Sequence, residues 1–300
     1  MRVFVTGATG GIGRFVVQEL LNRNCEVACL VRTPDKLNPQ AYAIQGDLSE
    51  IAKIEDAFAN FRPDTIVHLG WIGVDQKEKG SDSQIVNLQV AVDLLNLARK
   101  YSVKSFIGMG SESEYGVHNK KIDENTSTLP QTKYAIAKLA TGLVCEKICK
   151  EQGIKFAWLR LFSSYGPGDR QGSLMSLLIQ TLLKKEPMNL SECKQIWDYV
   201  HARDIGRLIA TMTAELKESG FYNLGGGQAQ PLKNVVLKIA EIIGTNIEDL
   251  HFGAVPYSAN QNMHLEADIS KLKRVYGWEP QTPLDVGLVE TVEYHKTRAR

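Results

Sequence analysis

The chain opens on a short apolar run, Val3-Phe4-Val5, that stops abruptly at Thr6-Gly7. From Arg14 onward, Phe15, Val16, Leu20 and Leu21 recur at helical spacing. The unbroken run predicts a buried strand, and the recurrence predicts a helix with one face on a core. The alternation then repeats. Residues 25–31 read as a second strand ending at Arg32-Thr-Pro, and 41–45 as a third, followed by Gly46-Asp47-Leu48. Helical spacing returns at 51–61, a fourth strand at 63–69, and a long amphipathic helix at 83–101. A fifth strand at 104–108 and a second long helix at 131–152 lead into a strand at 155–160. Strands alternating with helices predict right-handed crossovers and an α/β fold, a doubly wound parallel sheet of the Rossmann kind.

Beyond Ser163 the alternation loosens. Turn residues (Tyr165-Gly-Pro-Gly168), a helix near 174–184, a short strand at 198–201 and a helix at 204–213 follow. Phe221-Tyr-Asn-Leu224 and three glycines begin a last, smaller section. The polar stretch 75–82 is the one segment expected to be mobile, placed to cover a cleft. The chain has no internal repeat and no low-complexity segment.

Between the first strand and the first helix lies Gly7-x-x-Gly10-x-x-Gly13. Gly7 permits the tight turn, Gly10 lets a pyrophosphate approach the backbone, and Gly13 lets helix and strand pack closely. The free N–H groups of the helix start then face the anion. Alone, such a loop marks only a turn. Directly after a first strand, it predicts nucleotide binding.

Composition narrows the classes. Hydrophobic content of 43% and charged content of 23% are those of an ordinary soluble globule. A net charge of +1 gives no reason to expect nucleic acid as a partner. No apolar run approaches the roughly 18 residues needed to cross a bilayer. The N-terminus enters directly into a strand without signal-peptide features, so the expected location is cytoplasmic. The five cysteines (25, 29, 145, 149 and 193) include no Cys-x-x-Cys and no ligand cluster, which predicts no metal site and free thiols in a reducing compartment.

Three side chains suggest chemistry. Tyr134 and Lys138, four apart on a predicted helix, share a face. An ammonium near a phenol favours the phenolate, so the tyrosine pKa is expected to fall towards neutrality. Ser111 follows the fifth strand at the carboxyl edge, where doubly wound folds hold ligands and a hydroxyl can bond a reacting oxygen. Arg32 closes the second strand, where an acidic residue would suit NAD. A guanidinium there suits a 2′-phosphate, so NADP is expected over NAD. Asp47 fits a cap for the helix that starts near Glu50. His68, at a strand end, is expected to be satisfied by local hydrogen bonds.

Thr6-Gly-Ala-Thr-Gly-Gly-Ile-Gly13 resembles the short-chain dehydrogenase/reductase superfamily. Later stretches are similar to its extended branch of nucleotide-sugar epimerases, dehydratases and reductases: Tyr115-Gly116, 159–168, Asp198-Tyr-Val-His-Ala-Arg-Asp204, Tyr222-Asn-Leu-Gly225, Ala267-Asp-Ile-Ser-Lys271 and Tyr276-Gly-Trp-Glu-Pro280. The resemblance implies that Tyr134 is the acid/base, that Lys138 also holds the nicotinamide ribose, and that Ser111 orients the carbonyl. It implies cofactor contacts from the loop running from Gly7 through Thr9, Gly10, Gly11 and Ile12 to Gly13. Asp47-Leu48 would meet the adenine, Leu69-Gly70 would line the cofactor cleft, and Asn87 would support the site. It also implies a dinucleotide-binding domain over 1–162, with 198–215 returning to it. Residues 163–197 and 216–300 would form a smaller C-terminal α/β section that binds the substrate's nucleotide diphosphate.

Departures from that pattern shape the substrate expectation. Sugar 4,6-dehydratases carry Thr-Asp-Glu where this chain has Ser111-Glu112-Ser113, which argues against dehydration. Ser163 stands where asparagine is usual, Trp197 where arginine is usual, and a further arginine before Asp268 is missing. Arg170 and Arg203 are the candidate substitutes, with Trp71 and Glu112 as candidate cleft walls. The expected activity is an NADP(H)-dependent reduction of the 4-keto group of a nucleotide-activated (6-deoxy)hexose. An NAD(P)-dependent nucleotide-sugar 4-epimerase is the alternative, followed by a reductase of a non-nucleotide carbonyl or a non-catalytic cofactor-binding protein. Apolar residues on more than one side of the 83–101 helix predict a homodimer.

Overall fold

The computed structural model describes residues 1–75, 77–170 and 172–298. Seven strands form the main sheet: Arg2–Thr6 (β1), Glu26–Val31 (β2), Tyr42–Gln45 (β3), Thr65–His68 (β4), Ser105–Ser111 (β5), Lys155–Leu161 (β6) and Gly220–Leu224 (β7). Their order is β7-β6-β5-β4-β1-β2-β3, and every pairing is parallel. Val3, Phe4 and Val5 are wholly buried, because a parallel sheet is covered on both faces and its central strands need apolar side chains all round.

Nine helices are described: Gly13–Asn22 (α1), Glu55–Phe61 (α2), Val86–Lys100 (α3), Lys133–Gln152 (α4), Leu174–Leu183 (α5), Ala202–Ala214 (α6), Leu232–Ile243 (α7), Ser270–Tyr276 (α8) and Leu284–Lys296 (α9). Val16 and Leu20 of α1, with Ile205, Leu208 and Ile209 of α6, pack in one core beside Val3 and Val5. On the other side, Leu94 and Leu95 of α3 and Cys145 and Cys149 of α4 pack with Phe4 and Ile66. All five cysteines are free thiols.

From β1 the chain winds outward to β3, then crosses back to place β4 on the other side of β1. Strand order reverses between β1 and β4, and a ligand crevice opens at the carboxyl ends of such a pair. The two ends are tied together. The Thr6 hydroxyl lies 2.8 Å from His68 Nδ1 and accepts the Gly70 amide at 3.1 Å.

Several boundaries differ from those read along the chain. The fifth strand runs on to Ser111, through Gly108 and Gly110, because the Trp158 indole of β6 lies flush against both. A Cβ at Gly110 would stand 2.3 Å from its Nε1. The helix expected over 51–61 is a 3-10 turn, Leu48–Ile54, followed by α2, with a break at Glu50 (φ −128°, ψ 45°). The division into sections also differs. Gly220–Leu224, placed by the sequence in the C-terminal section, adds to the open edge of β6 and buries Tyr222, Asn223 and Leu224. Conversely, Lys120–Ile122 leaves the first section to pair with His264–Ala267. Those two strands share a small sheet with Ile196–His201 and Ala229–Pro231, and Ser163–Tyr165 pairs with Ile196–His201. A separate core joins α5, α7 and α9 through Leu178, Leu182, Val236, Ile239 and Leu288.

Candidate active site

The glycine loop is built for close backbone approach. Gly7 has φ +74°, and a Cβ there would stand 2.6 Å from the Gly70 nitrogen. A Cβ at Gly13 would stand 2.0 Å from the Gly7 carbonyl oxygen, and one at Gly11 2.8 Å from that of Gly168. Ile12, at the N-cap of α1, supplies no side-chain cap, and the first turn holds no acidic residue. Arg14 N–H already donates to the Gly10 carbonyl at 3.2 Å and Phe15 N–H to that of Ile12 at 3.0 Å, so the N–H groups left for an anion are those of Gly11, Ile12 and Gly13 at the mouth of the helix. The residues present fit the pyrophosphate of a dinucleotide.

Gly7, Gly10, Gly11, Ile12, Gly13 and Leu69 line a cleft of about 810 Å³. Ser111, Glu112, Tyr134 and Lys138 line the same cleft. Tyr134 is the second residue of α4, whose start is set by Thr132, the N-cap that accepts the Ala135 amide at 3.1 Å. One turn later, Lys138 is buried. Its Nζ donates to the Met109 carbonyl at 2.6 Å and lies 3.7 Å from the centre of the Trp71 ring. Burial pulls the Lys138 amine down to about 7, against the opposing pull of Glu114. The Ser111 hydroxyl donates to Glu112 Oε2 at 2.5 Å and lies 2.5 Å from Ser113 Oγ.

One electrostatic expectation is reversed. The Tyr134 phenol is pushed up, not down, by burial first and then by the Glu112 carboxylate, while the Ser111 hydroxyl pulls the other way. Lys138 is spent on Met109 and Trp71, and its Nζ stands 5.9 Å from the Tyr134 ring centre. A desolvated phenol without an ammonium on its oxygen keeps its proton.

The stretch after β4 closes the cleft from above. Gln84, buried, donates from Nε2 to the carbonyls of Gly73 (2.6 Å) and Glu78 (3.1 Å) and accepts from Trp71 Nε1 (2.8 Å). The Tyr134 amide donates to the Lys79 carbonyl at 3.0 Å, and Lys133 pairs with Asp82. Residue 76 of the 75–82 stretch lies outside the described residues. Asn87 holds the base of the strap, accepting the Ile72 amide at 2.7 Å and donating to its carbonyl at 3.0 Å.

Other candidates divide. Trp71, Ser163, Arg170 and Trp197 line the cleft. Arg170 Nη1 donates to the Val74 carbonyl at 2.7 Å, joining the 166–170 turn to the strap. Arg203 does not line the cleft. Its guanidinium makes a two-pronged pair with Glu290 of α9 (3.1 and 2.8 Å), so it does not replace a missing substrate arginine. Asp47 caps the turn that follows, accepting from Ser49 N at 2.9 Å and Oγ at 2.6 Å, and these bonds hold its carboxyl below the usual range. Leu48 packs under Gly70, Thr9 is exposed beside the cleft, and Arg32 is exposed just past β2. His68 is buried on Thr6, and burial holds it neutral, down to about 3.

Sequence reasoning passed over Lys79 and Glu114. Lys79 reaches the cleft from the strap, its Nζ 4.9 Å from the Tyr134 ring centre, and a lone lysine in a polar stretch carries no periodic signal. Glu114 did carry one. Ser111-x-x-Glu114 is a capping box, and the structure forms both of its bonds.

The chain as a whole has relatives among known proteins. The family model described as the NAD-dependent epimerase/dehydratase family matches residues 3–225. A Bacillus subtilis (strain 168) protein described as an uncharacterised UDP-glucose epimerase, YtcB, is 26% identical over 98% of both chains. The UDP-glucose 4-epimerase of Thermotoga maritima, solved with UDP-glucose, superposes with a TM-score of 0.90 at 26% identity, covering all of both chains. That of Thermus thermophilus, solved with NAD, gives 0.86 at 25% identity over 99% of both. The chain belongs to the NAD-dependent epimerase/dehydratase family, and its fold is the Rossmann-like α/β fold of those enzymes.

Proposed function

We propose that the protein is an NADP(H)-dependent reductase acting on the 4-keto group of a nucleotide-activated 6-deoxyhexose. The observation that carries this reading is the convergence of Ser111, Tyr134 and Lys138 on the same cleft that the glycine loop lines. When bound, the nicotinamide supplies the hydride. The Ser111 hydroxyl, at the last residue of β5, holds the carbonyl oxygen. Tyr134 gives that oxygen its proton, and a phenol kept protonated at neutral pH is the form that reduction requires. Lys138 binds the ribose hydroxyls. Arg32, exposed past β2 and in no ion pair among the described residues, is available to a 2′-phosphate. Trp197, Tyr199, Ser258, Asn260, Gln261 and Asn262 also line the cleft and would take the nucleotide diphosphate without the customary arginines.

A 4-epimerase is the second reading, supported by the likeness to the UDP-glucose 4-epimerases. It would use Tyr134 first as base and then as acid on one retained cofactor; the exposed Arg32, where an acidic residue would suit NAD, favours the reductase. Purified protein should oxidise NADPH faster than NADH when given a 4-keto-6-deoxy nucleotide sugar, followed by absorbance. Tyr134→Phe should lower turnover by a factor of ~10²–10⁴. Interconversion of UDP-glucose and UDP-galactose without net cofactor change would replace the reductase by the epimerase.

The same reading includes a homodimer. Val90, Leu94 and Leu95 of α3 are used up in the core. Ile136 (53% exposed) and Leu143, seven apart on one face of α4, stay exposed, as does Ile85 (70%) in the turn before α3.

A further inference from the structure

Behind the wall formed by Ser111, Tyr134 and Lys138 lies a buried ion pair that the proposed reaction does not touch. Glu114 is wholly buried. Its Oε1 accepts the Ser111 amide and the Trp158 indole N–H, both at 2.9 Å, and its Oε2 accepts Arg160 Nε at 2.8 Å. Every partner is a donor, which is the pattern of a carboxylate anion. Arg160 is equally well held. Its guanidinium lies between the rings of Tyr115 and Phe221 (4.5 and 4.6 Å to the centres) and donates to the Tyr115 hydroxyl at 2.9 Å. That hydroxyl donates to Asn223 at 2.7 Å.

Stability alone is a poor reason for such a pair, since desolvating two charges offsets most of their attraction. Its position suggests a better one. Trp158, which donates to Glu114, lies with its ring centre 5.9 Å from Lys138 Nζ. The other immediate neighbours of that amine, the Met109 carbonyl and the Trp71 face, carry no charge.

We propose that Glu114, clamped by Arg160 and Trp158, is a positioning residue that fixes Ser111 at the reacting oxygen and, through the Trp158 indole, sets the electrostatic surroundings of Lys138. The role of Ser111 and Lys138 on a substrate rests on the function proposed above; the effect on the amine itself does not.

Several charged or titratable groups back or line this space. They are Glu112 and Glu114 after β5, His68 on β4, Arg160 on β6, Lys79 on the strap and Tyr134 on the same helix. Of these, Glu114 is the one that raises the amine against burial. Below about 7 the amine is charged and above it neutral, so loss of the Glu114 charge moves that boundary to lower pH.

The test uses the full chain carrying Glu114→Gln with Arg160→Met. The glutamine oxygen still accepts from Ser111 and Trp158, and no buried cation is left unpaired. The Lys138 side chain is titrated by carbon-13 NMR of labelled lysine, with Lys138→Met to assign its signal. The expected midpoint falls by half a pH unit or more, about threefold in proton affinity. The pH profile of turnover moves acid by the same amount. Glu114→Gln alone shifts the midpoint further, because Arg160 is then unpaired, and it is the variant read should the double one not fold. A folded variant whose Lys138 titrates as in the parent overturns the proposal. A parent protein that turns over no nucleotide sugar overturns the function instead, and the amine titration still decides the role of Glu114.

Discussion

At Gly13 the missing side chain is what brings α1 against the end of β1. A Cβ would meet the Gly7 carbonyl at 2.0 Å and the Ala8 Cα at 2.8 Å, both backbone atoms that cannot step aside. Gly13→Ala is therefore expected to open the turn and weaken dinucleotide binding at least tenfold, about 1.4 kcal/mol, in a calorimetric titration. Unchanged affinity would mean that this turn does not cradle the pyrophosphate. Other single residues were harder to read. Tyr134 and Lys138 do share a helix face, but their charge states follow from what surrounds them. Trp71, Met109 and Glu112 arrive from other elements, and their contacts reverse the expected direction for the phenol. Arg203 looked available because Glu290, its partner, lies 87 positions away.

Helix α4 carries two of the three side chains proposed to act at the site, and its ends are set locally. Thr132 caps the start, and Gly153 ends the helix in the left-handed region at φ +68°. Thr132→Ala should cost about 1 kcal/mol in urea unfolding. It should also lower turnover, because a frayed first turn releases Tyr134 from the Lys79 carbonyl. A stability loss with unaltered turnover would separate the cap from the site. At this scale the alternation of strands and helices was largely legible, since burial on one face writes its period into the chain. The misread stretches have local causes. Gly108 and Gly110 look like strand breakers until Trp158 is seen packed against them, and the 51–61 stretch that spacing alone made one helix is wound as 3-10 up to Ile54 and as α-helix only from Glu55.

In the whole molecule, Asp198 shows how the smaller section is fastened. Its carboxylate accepts the amides of Gly226 (2.6 Å), Gly227 (3.0 Å) and Ala267 (3.0 Å), joining the strand before α6 to the turn after β7 and to the strand before α8. The exposed Ile85, Ile136 and Leu143 set the prediction for this scale. Light scattering should report a dimer, and Ile136→Glu with Leu143→Glu a folded monomer, because burying those charges at an interface is costly. A parent that is monomeric at micromolar concentration would end that assignment.

Read alone, the chain settles what nearby residues decide: the alternation of strands and helices through the sixth strand, the glycine turn, and Tyr134 and Lys138 on one face. Local geometry and short-range periodicity are enough for these. Folding adds what depends on distant neighbours. Gly220–Leu224 joins the main sheet, Arg203 is spent on Glu290, and Glu114 meets Arg160 46 residues away beneath Ser111. Charge states and partners depend on burial and on groups brought close in space, and neither is written in the spacing of residues along the chain.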